Sequence, residues 1–330
     1  MNKISIIPIM TCFNNNYVIP ASVAIYSILE NSSKDYMYEF YILHSDISES
    51  NKQKLVENIK NFSNANLTFI NMENKFADLF KNTSCKGHFS KEMYYKFLPA
   101  EIFPQYEKMI ITDVDVVFKK DISQMFNDFN INDDYYLSAS LQIYPKDLYK
   151  KAMQKFSKIY KNEDLNAIFF AGGFYIFNLR KMREDKIVNK FISFAQKNSR
   201  WLTSPEQTTI SLVCYPKIKE MSSNALVSTC MYDYYNDKNF EKAMLQSKEE
   251  VIYALENPIQ LHYAGSLKPW KNPSVTKASI WYEYLAKTNF YEEQIQKLTF
   301  KPEISKKIFK IQNKKMKKKI TCLINIENLP

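Results

Sequence analysis

The chain has 330 residues, of which 45% are hydrophobic and 24% charged, a globular composition that excludes wholesale disorder. With only 4 glycines and 12 prolines it is neither collagen-like nor of low complexity. The formal net charge is +10. Residues 301–330 hold nine lysines and two glutamates, a net charge of +7, which leaves +3 for residues 1–300. The excess charge therefore belongs mainly to the C-terminal end.

The cysteines and the N-terminus indicate the compartment. The five cysteines are scattered, without a C-x-x-C pair or zinc-type spacing, which favours reduced thiols in a cytoplasmic protein. No apolar run approaches the roughly 18 residues of a membrane-spanning helix. The apolar stretch after Lys3 is broken by Pro8 and lacks a small-residue cleavage site, so we expect a first β-strand rather than a signal peptide.

Strand and helix patterns alternate through the first half. Buried-strand patterns occupy residues 4–12, 38–43, 67–70 and 108–112. Helical patterns occupy residues 21–31 after Pro20, residues 48–61 and residues 93–102. This alternation predicts an α/β fold with a mostly parallel sheet, whose ligand lies at the carboxyl ends of the strands. The polar segments 14–16 and 113–115 follow strands and are expected at that edge.

The second half is less regular and shows no internal repeat. Strands are predicted at residues 135–140, 174–178 and 258–263, and helices at 204–213 and 280–286. We expect residues 271–300 to form a helical C-terminal extension and residues 301–330 a basic amphipathic tail.

The strongest single feature is Asp113-Val114-Asp115 at the end of a predicted strand. Alternate strand side chains share one side, so the two carboxylates lie together, and such a pair favours a divalent cation. The alternative is two surface acids at a turn, because Asp-x-Asp alone is common. The apolar residues 116–118 that follow argue against a solvated run of charges.

Residues 261–270, LHYAGSLKPW, combine several chemical groups in one segment. His262 at a predicted strand end could complete a metal site, although a lone histidine is more often structural. Gly265, one of the four glycines, would let backbone N–H groups approach a phosphate, and Lys268 could neutralise its charge. Residues 170–174 (FAGGF) and 204–207 (SPEQ) are also distinctive, with a β-bulge and a capped helix start as the simpler explanations.

In this order, the segments resemble glycosyltransferase family 8, the retaining nucleotide-sugar transferases that include bacterial lipooligosaccharide galactosyltransferases, glucosyltransferases and glycogenin. The resemblance covers about residues 4–270 and ends in the specific pattern H-x-x-G-x-x-K-P-W. It implies a single GT-A type α/β domain over residues 1–270, with helices flanking a mostly parallel central sheet. It also implies a UDP-sugar donor, a glycan or glycolipid acceptor and Mn²⁺, with Mg²⁺ as the alternative ion.

Carried over residue by residue, the resemblance implies three groups of site residues. The metal ligands are Asp113, Asp115 and His262. The nucleotide-sugar contacts are Cys12 (through its backbone), Asn14, Asn16, Tyr17, Lys96, Val114, Gln142, Ala171, Gly172, Glu206, Gly265 and Lys268. The catalytic residues are Gln207, on the reacting face of the anomeric carbon, and Lys268, which with the metal stabilises charge on the leaving UDP.

Three positions depart from the family pattern. Asn14 and Gln142 stand where the family often has aspartate, and Phe170 stands where it usually has asparagine. The metal and phosphate residues are kept while the hexose pocket differs, so both glucose and galactose remain open as the transferred sugar. Glutamine is a poor nucleophile, which favours same-face attack by the acceptor over a covalent intermediate.

The sequence thus predicts a cytoplasmic, membrane-peripheral bacterial hexosyltransferase that acts in lipooligosaccharide-type synthesis. The alternative is a catalytically inactive nucleotide-sugar or carbohydrate-binding protein. A dehalogenase-type phosphatase also uses Asp-x-Asp, but that motif normally lies in the first strand. Isoleucines at helical spacing among the tail lysines favour an anionic membrane surface as the tail's partner over a merely solvated tail. Nucleic acid is disfavoured because Phe309 is the tail's one aromatic residue.

Overall fold

The structure, a computed structural model, describes residues 5–83, 89–160, 164–202, 204–235 and 245–299. The predicted basic tail, residues 301–330, lies outside the described residues. Within those ranges, no helix has the length and apolar character needed to cross a membrane.

The strands form one large and one small sheet. In chain order they are β1 Ser5–Cys12, β2 Tyr36–His44, β3 Ala65–Asn71, β4 Lys108–Thr112, β5 Val116–Phe118, β6 Leu137–Leu141, β7 Phe170–Asn178, β8 Ile218–Met221, β9 Val227–Ser228 and β10 Gln260–His262. The large sheet has seven strands in the order β3-β2-β1-β4-β7-β6-β8, and the small sheet has the order β5-β10-β9. In the large sheet β7 runs antiparallel to both of its neighbours, and the other pairs are parallel.

The helices flank the sheets. Numbered over the described residues, they are α1 Val18–Asn31, α2 Glu49–Ile59, α3 Ala77–Asn82, α4 Pro99–Ile102, α5 Ser123–Asp128, α6 Lys146–Ile159, α7 Leu179–Glu184, α8 Ile187–Asn198, α9 Pro205–Cys214, α10 Met231–Tyr235, α11 Lys248–Glu256, α12 Ala278–Leu285 and α13 Tyr291–Thr299. Short 3₁₀ helices cover Asn15–Tyr17, Lys91–Phe97 and Leu165–Phe169. The α/β architecture with a mostly parallel sheet is therefore confirmed.

Strand direction brings the sequence motifs to one edge of the large sheet. β1 and β4 are parallel neighbours, so the residues after Cys12 and after Thr112 emerge side by side. β7 is antiparallel to β4, with Thr112 opposite Phe174, so its amino-terminal end reaches the same edge. Residues 170–173 consequently lie beside the Asp-x-Asp segment although they are far from it in sequence.

Three local features differ from the sequence prediction. Residues 93–102 are helical but not as one helix, because the 3₁₀ helix Lys91–Phe97 ends before Pro99, whose ring occupies the first turn of α4. The long helices α6 and α8 were not predicted. The short strands β5, β8 and β9 were missed because two to four residues are too few to show a period.

The predicted helical extension over residues 271–300 packs into the main core. Trp281 is fully buried, and it belongs to the same hydrophobic cluster as Ile25 of α1 and Phe174 of β7. Asn31 at the end of α1 donates a hydrogen bond to the Tyr284 hydroxyl at 2.9 Å. These contacts fix α12 against the face of the sheet that carries α1.

Candidate active site

A cavity of about 470 Å³ opens at the carboxyl edge of β1 and β4, within the size range of small-molecule sites. Most of the residues named from the sequence line it. They are Cys12, Tyr17, Lys96, Asp113, Val114, Asp115, Gln142, Ala171, Gly172, Glu206, Gln207, His262, Gly265 and Lys268. The structure thus brings together side chains from both halves of the chain at one edge of the sheet.

Asn14 and Asn16 are not among the lining residues. The Asn14 side chain caps the 3₁₀ helix Asn15–Tyr17 by accepting a hydrogen bond from the Asn16 backbone N–H at 3.1 Å. A second hydrogen bond fixes this turn, because the Asn15 backbone N–H donates to Asp46 Oδ1 at 2.8 Å. This turn places Tyr17 at the cavity wall, where its ring meets Trp270 edge-on with centroids 5.7 Å apart.

Asp113, Asp115 and His262 form a compact group suited to a metal ion. One ligand atom from each lies within 4.8 Å of the others. His262 Nε2 is 3.3 Å from Asp115 Oδ1 and 3.7 Å from Asp113 Oδ2. A set of one imidazole and two carboxylates suits a divalent ion such as Mn²⁺ or Zn²⁺ better than Mg²⁺, which prefers oxygen ligands and water. These residues therefore fit a divalent metal.

The small sheet explains why His262 reaches the two aspartates. β5 begins directly after Asp115, and His262 on β10 pairs with Val116. The Tyr263 backbone N–H donates to the Asp115 carbonyl at 2.9 Å, which extends this pairing by one step. Beneath the group, buried Gln260 donates to both the Thr112 hydroxyl and the Gly173 carbonyl at 3.1 Å. β4, β7 and β10 are thereby cross-linked under the metal ligands.

Lys268 is the cation closest to Asp115. Its amine contacts Asp115 Oδ2 and donates to the Tyr263 carbonyl at 2.7 Å, and the residue is only 2% exposed. Burial alone would raise the pKa of Asp115, but His262 and Lys268 hold that pKa well below its usual range. Asp115 therefore stays ionised and able to bind a metal.

Lys96 is a second buried cation at the floor of the cavity. Its amine lies 2.5 Å from Asp113 Oδ1, 3.1 Å from Glu206 Oε1 and 3.1 Å from the Gly172 carbonyl. Burial opposes its charge, but Asp113 and Glu206 raise the pKa of Lys96 well above its usual value. Lys96 thus joins the metal group to Glu206 at the start of α9.

The adjacent glycines of β7 make room for two different site residues. A Cβ on Gly173 would lie 2.8 Å from His262 Nδ1, closer than real contacts allow. A Cβ on Gly172 would lie 3.0–3.1 Å from the Cβ, Cγ and Oε1 of Gln207. The Gln207 amide donates from Nε2 to the Phe170 carbonyl at 2.8 Å, so its side chain has little freedom to retreat.

We expect Gly173→Ala and Gly172→Ala to have different effects. The first should displace His262 and weaken Mn²⁺ binding at least about tenfold, the scale seen when groups that orient metal ligands are lost. The second should leave Mn²⁺ affinity near wild type, because its added methyl meets Gln207 instead. Calorimetric Mn²⁺ titration of both variants checks this. Equal losses of Mn²⁺ affinity would contradict the prediction that only Gly173 makes room for a metal ligand.

Several lining residues were not predicted from the sequence. Six of them are apolar or aromatic: Phe89, Met93, Tyr144, Phe156, Ile168 and Phe169. Tyr144 and Phe169 pack edge-on, with ring centroids 5.1 Å apart. These residues come from three separate segments and carry no motif. Their aromatic character alone does not distinguish them in a chain with 23 tyrosines and 23 phenylalanines.

Comparison with known proteins identifies the family. Residues 8–274 match the model of glycosyl transferase family 8, which is most of the chain. The chain therefore belongs to this family of glycosyltransferases. It is also 21% identical over 280 residues to General stress protein A of Bacillus subtilis, covering 82% of this chain and 90% of that protein.

Solved glycosyltransferases share the fold. The bifunctional glycosyltransferase WbbM superposes with a TM-score of 0.70 at 21% identity, covering 90% of this chain. This chain spans about half of WbbM, 52% of its length. The galactosyltransferase LgtC, in complex with donor and acceptor sugar analogues, superposes with a TM-score of 0.65 at 18% identity, covering 86% of this chain and 96% of that one. The resemblance noted in the sequence is thus confirmed at the level of family and GT-A fold.

Proposed function

We propose that this protein is a retaining, Mn²⁺-dependent hexosyltransferase that moves glucose or galactose from a UDP-sugar to a surface glycan acceptor such as lipooligosaccharide. The observation that carries the proposal is the group formed by Asp113, Asp115 and His262, with Lys268 beside it, in the lining of the cavity. A diphosphate carries negative charge that a divalent ion and a lysine together neutralise. The group lies within the part of the chain that matches the family.

Asp113, Asp115 and His262 would hold the Mn²⁺, with Mg²⁺ as the alternative ion. When bound, the metal supplies positive charge for the two donor phosphates. Lys268 contacts Asp115 beside the metal group, and in the proposed complex its amine would also reach a phosphate oxygen of the donor. It would then stabilise the charge that grows on the leaving UDP. Exposed Gly265 has a positive φ of 79°, which suits a close approach of the backbone to that phosphate.

The nucleoside would lie along the carboxyl end of β1. Tyr17 offers its ring to the uracil base and is held in place by Trp270. Cys12 and Val114 also line the cavity. Asn14 and Asn16, which shape the turn before Tyr17, would contact the uridine at its outer edge. These assignments follow the family resemblance and the placement of Tyr17.

The transferred sugar would lie between Lys96, Gln142 and Gln207, against Ala171 and Gly172. Gln207 gives its amide N–H to the Phe170 carbonyl, which leaves the amide oxygen to face the anomeric carbon. An amide oxygen is a weak nucleophile but a good hydrogen-bond acceptor, so same-face attack by the acceptor hydroxyl accounts for retention better than a covalent intermediate does. Glu206 acts through Lys96, which it contacts at 3.1 Å.

The acceptor and the place of action complete the proposal. The enzyme would work at the inner face of the cytoplasmic membrane on a glycan or glycolipid acceptor. Residues 301–330, with nine lysines, would bind its anionic surface. Nucleic acid is not a proposed partner.

A donor screen tests the function. Purified protein is incubated with UDP-glucose, UDP-galactose and other UDP-sugars, with Mn²⁺ or with EDTA. We expect Mn²⁺-dependent UDP release from one hexose donor. With a sugar acceptor, we expect a glycoside whose anomeric configuration, read by NMR, matches that of the donor. Mn²⁺-dependent donor binding without release or transfer would instead identify an inactive nucleotide-sugar-binding protein.

A further inference from the structure

Helix α6 (Lys146–Ile159) separates charged and apolar side chains cleanly. All five of its lysines are exposed: Lys146, Lys150, Lys151, Lys155 and Lys158. Its apolar side chains are all half-buried against the body: Leu148, Tyr149, Ala152, Met153, Phe156 and Ile159. With Asp147 as its acid, α6 has a net charge of +4, whereas residues 1–300 together carry +3. The rest of residues 1–300 therefore sums to −1, and α6 is a strongly basic helix on a body that is near neutral overall.

Exposed apolar side chains lie near both ends of this helix. Trp201 is 59% exposed, and its carbonyl accepts a hydrogen bond at 3.5 Å from the hydroxyl of Tyr160, the residue that follows α6. Leu245 is 43% exposed, and its backbone N–H donates to the Tyr144 carbonyl at 3.1 Å, just before α6. At about 1.5 Å per residue the helix is roughly 21 Å long. The segments that carry these two exposed side chains therefore contact the chain at opposite ends of the lysine helix.

The same helix borders the cavity. Tyr144 before α6 and Phe156 within it are lining residues. The ring of Tyr149 packs on Phe169, another lining residue, with centroids 4.7 Å apart. A surface that binds the outer face of α6 would therefore lie close to the wall of the cavity.

We propose that the lysine face of α6, together with Trp201 and Leu245, lies against an anionic lipid membrane; we call this surface the α6 strip. Lysines are attracted to anionic headgroups, and tryptophan is favoured at the boundary between headgroups and hydrocarbon. A soluble polyanion would use the lysines but would leave Trp201 and Leu245 without a role. The inference rests on the proposed function in one respect: the strip would bring the cavity to a lipid-linked acceptor.

Trp201 provides a local probe that separates the strip from the C-terminal tail. Full-length protein is titrated with vesicles of phosphatidylglycerol and phosphatidylcholine, and with phosphatidylcholine vesicles alone. We expect a blue shift of tryptophan emission with the anionic vesicles only. The shift should be lost in Trp201→Tyr, because the other two tryptophans lie away from α6: Trp281 is fully buried in the core, and half-buried Trp270 packs against Tyr17 and Trp281. Vesicle binding without a Trp201-dependent shift would mean that a surface other than the α6 strip binds the membrane, and the proposal would be wrong.

Charge reversal tests the lysines in the same full-length protein. The triple variant Lys151→Glu/Lys155→Glu/Lys158→Glu should weaken the binding that produces the shift at least about tenfold, since each basic residue near an anionic surface contributes to attachment. The matched control is Lys60→Glu/Lys81→Glu/Lys120→Glu, three exposed lysines on other elements. Equal weakening in both triples would show a general charge effect and contradict the strip.

Two further outcomes separate the strip from its alternatives. If long-chain polyphosphate gives the same Trp201-dependent shift as the vesicles, the surface binds soluble polyanions and the lipid assignment fails. UDP release from the donor identified in the screen should be unchanged in the Lys151/Lys155/Lys158 triple variant. Failure of UDP release in the wild-type protein would overturn the proposed function. The vesicle experiment would still test the α6 strip, because it does not depend on UDP release.

Discussion

Asp115→Asn is expected to lower sugar transfer by more than about 100-fold. Loss of a group that merely orients a metal ligand costs about 10–100-fold in metal affinity or activity, and Asp115 itself is placed to bind the metal. The amide keeps the shape of the side chain but removes the charge that faces both His262 and Lys268. The measurement is the initial rate of UDP release at saturating donor over a range of Mn²⁺ concentrations. The apparent Mn²⁺ affinity should fall together with the rate.

The matched control is Asp128→Asn, an exposed carboxylate at the end of α5. It should keep the wild-type rate and the wild-type Mn²⁺ dependence. If Asp115→Asn also kept both, Asp115 would not be a metal ligand. The same experiment on Asp113→Asn would then decide whether the remaining pair binds a metal at all.

Lys96→Met is expected to destabilise the protein strongly and to abolish transfer. The lysine is 2% exposed and is surrounded by Asp113, Glu206 and the Gly172 carbonyl. Methionine fills a similar space but leaves two carboxylates facing each other without a cation. Removing one partner of a buried ion pair costs about 3–5 kcal/mol, and we expect a loss of that size in the free energy of unfolding. Urea denaturation measures it.

Lys217→Met is the control for this prediction. Lys217 pairs with Asp134 at 3.0 Å, but both side chains are well exposed, and exposed pairs contribute about 1 kcal/mol or less. The free energy of unfolding should fall more in Lys96→Met than in Lys217→Met. Equal losses would show that the buried ion pairs of Lys96 do not stabilise the fold around the site. Transfer is measured below the unfolding transition, so that loss of activity is separated from loss of fold.

Local sequence patterns were enough to predict the first four strands and the helices α1 and α2. β1 and β4 are continuous apolar runs followed by polar turns, and parallel strands present such turns at one edge. The Asp-x-Asp segment and the histidine-to-tryptophan segment also carry specific motifs. Residues of both segments line one cavity. The placement of Asn14 and Asn16 outside the lining depends on a capped 3₁₀ turn, which the motif does not show.

The rest of the site depends on long-range pairing that no local pattern records. The antiparallel insertion of β7 sets Gly173 against His262, and neither segment alone indicates this contact. The buried network joins Lys96 to Asp113 and Glu206 from three separate elements, so the sequence suggested a sugar contact for Lys96 rather than an ion-pair network. Helix α6 does have a helical period, but its lysines are scattered in the linear sequence and become one face only on the helix.

The most direct test of the central claim is UDP release from the UDP-hexose panel before and after the metal is removed. We expect protein treated with EDTA to release no UDP from any donor. Added Mn²⁺ should restore release from one hexose donor, and Asp115→Asn should show no such recovery. Release that continues at the same rate in EDTA, or a wild-type protein that neither binds nor cleaves any UDP-sugar with Mn²⁺ present, would contradict it.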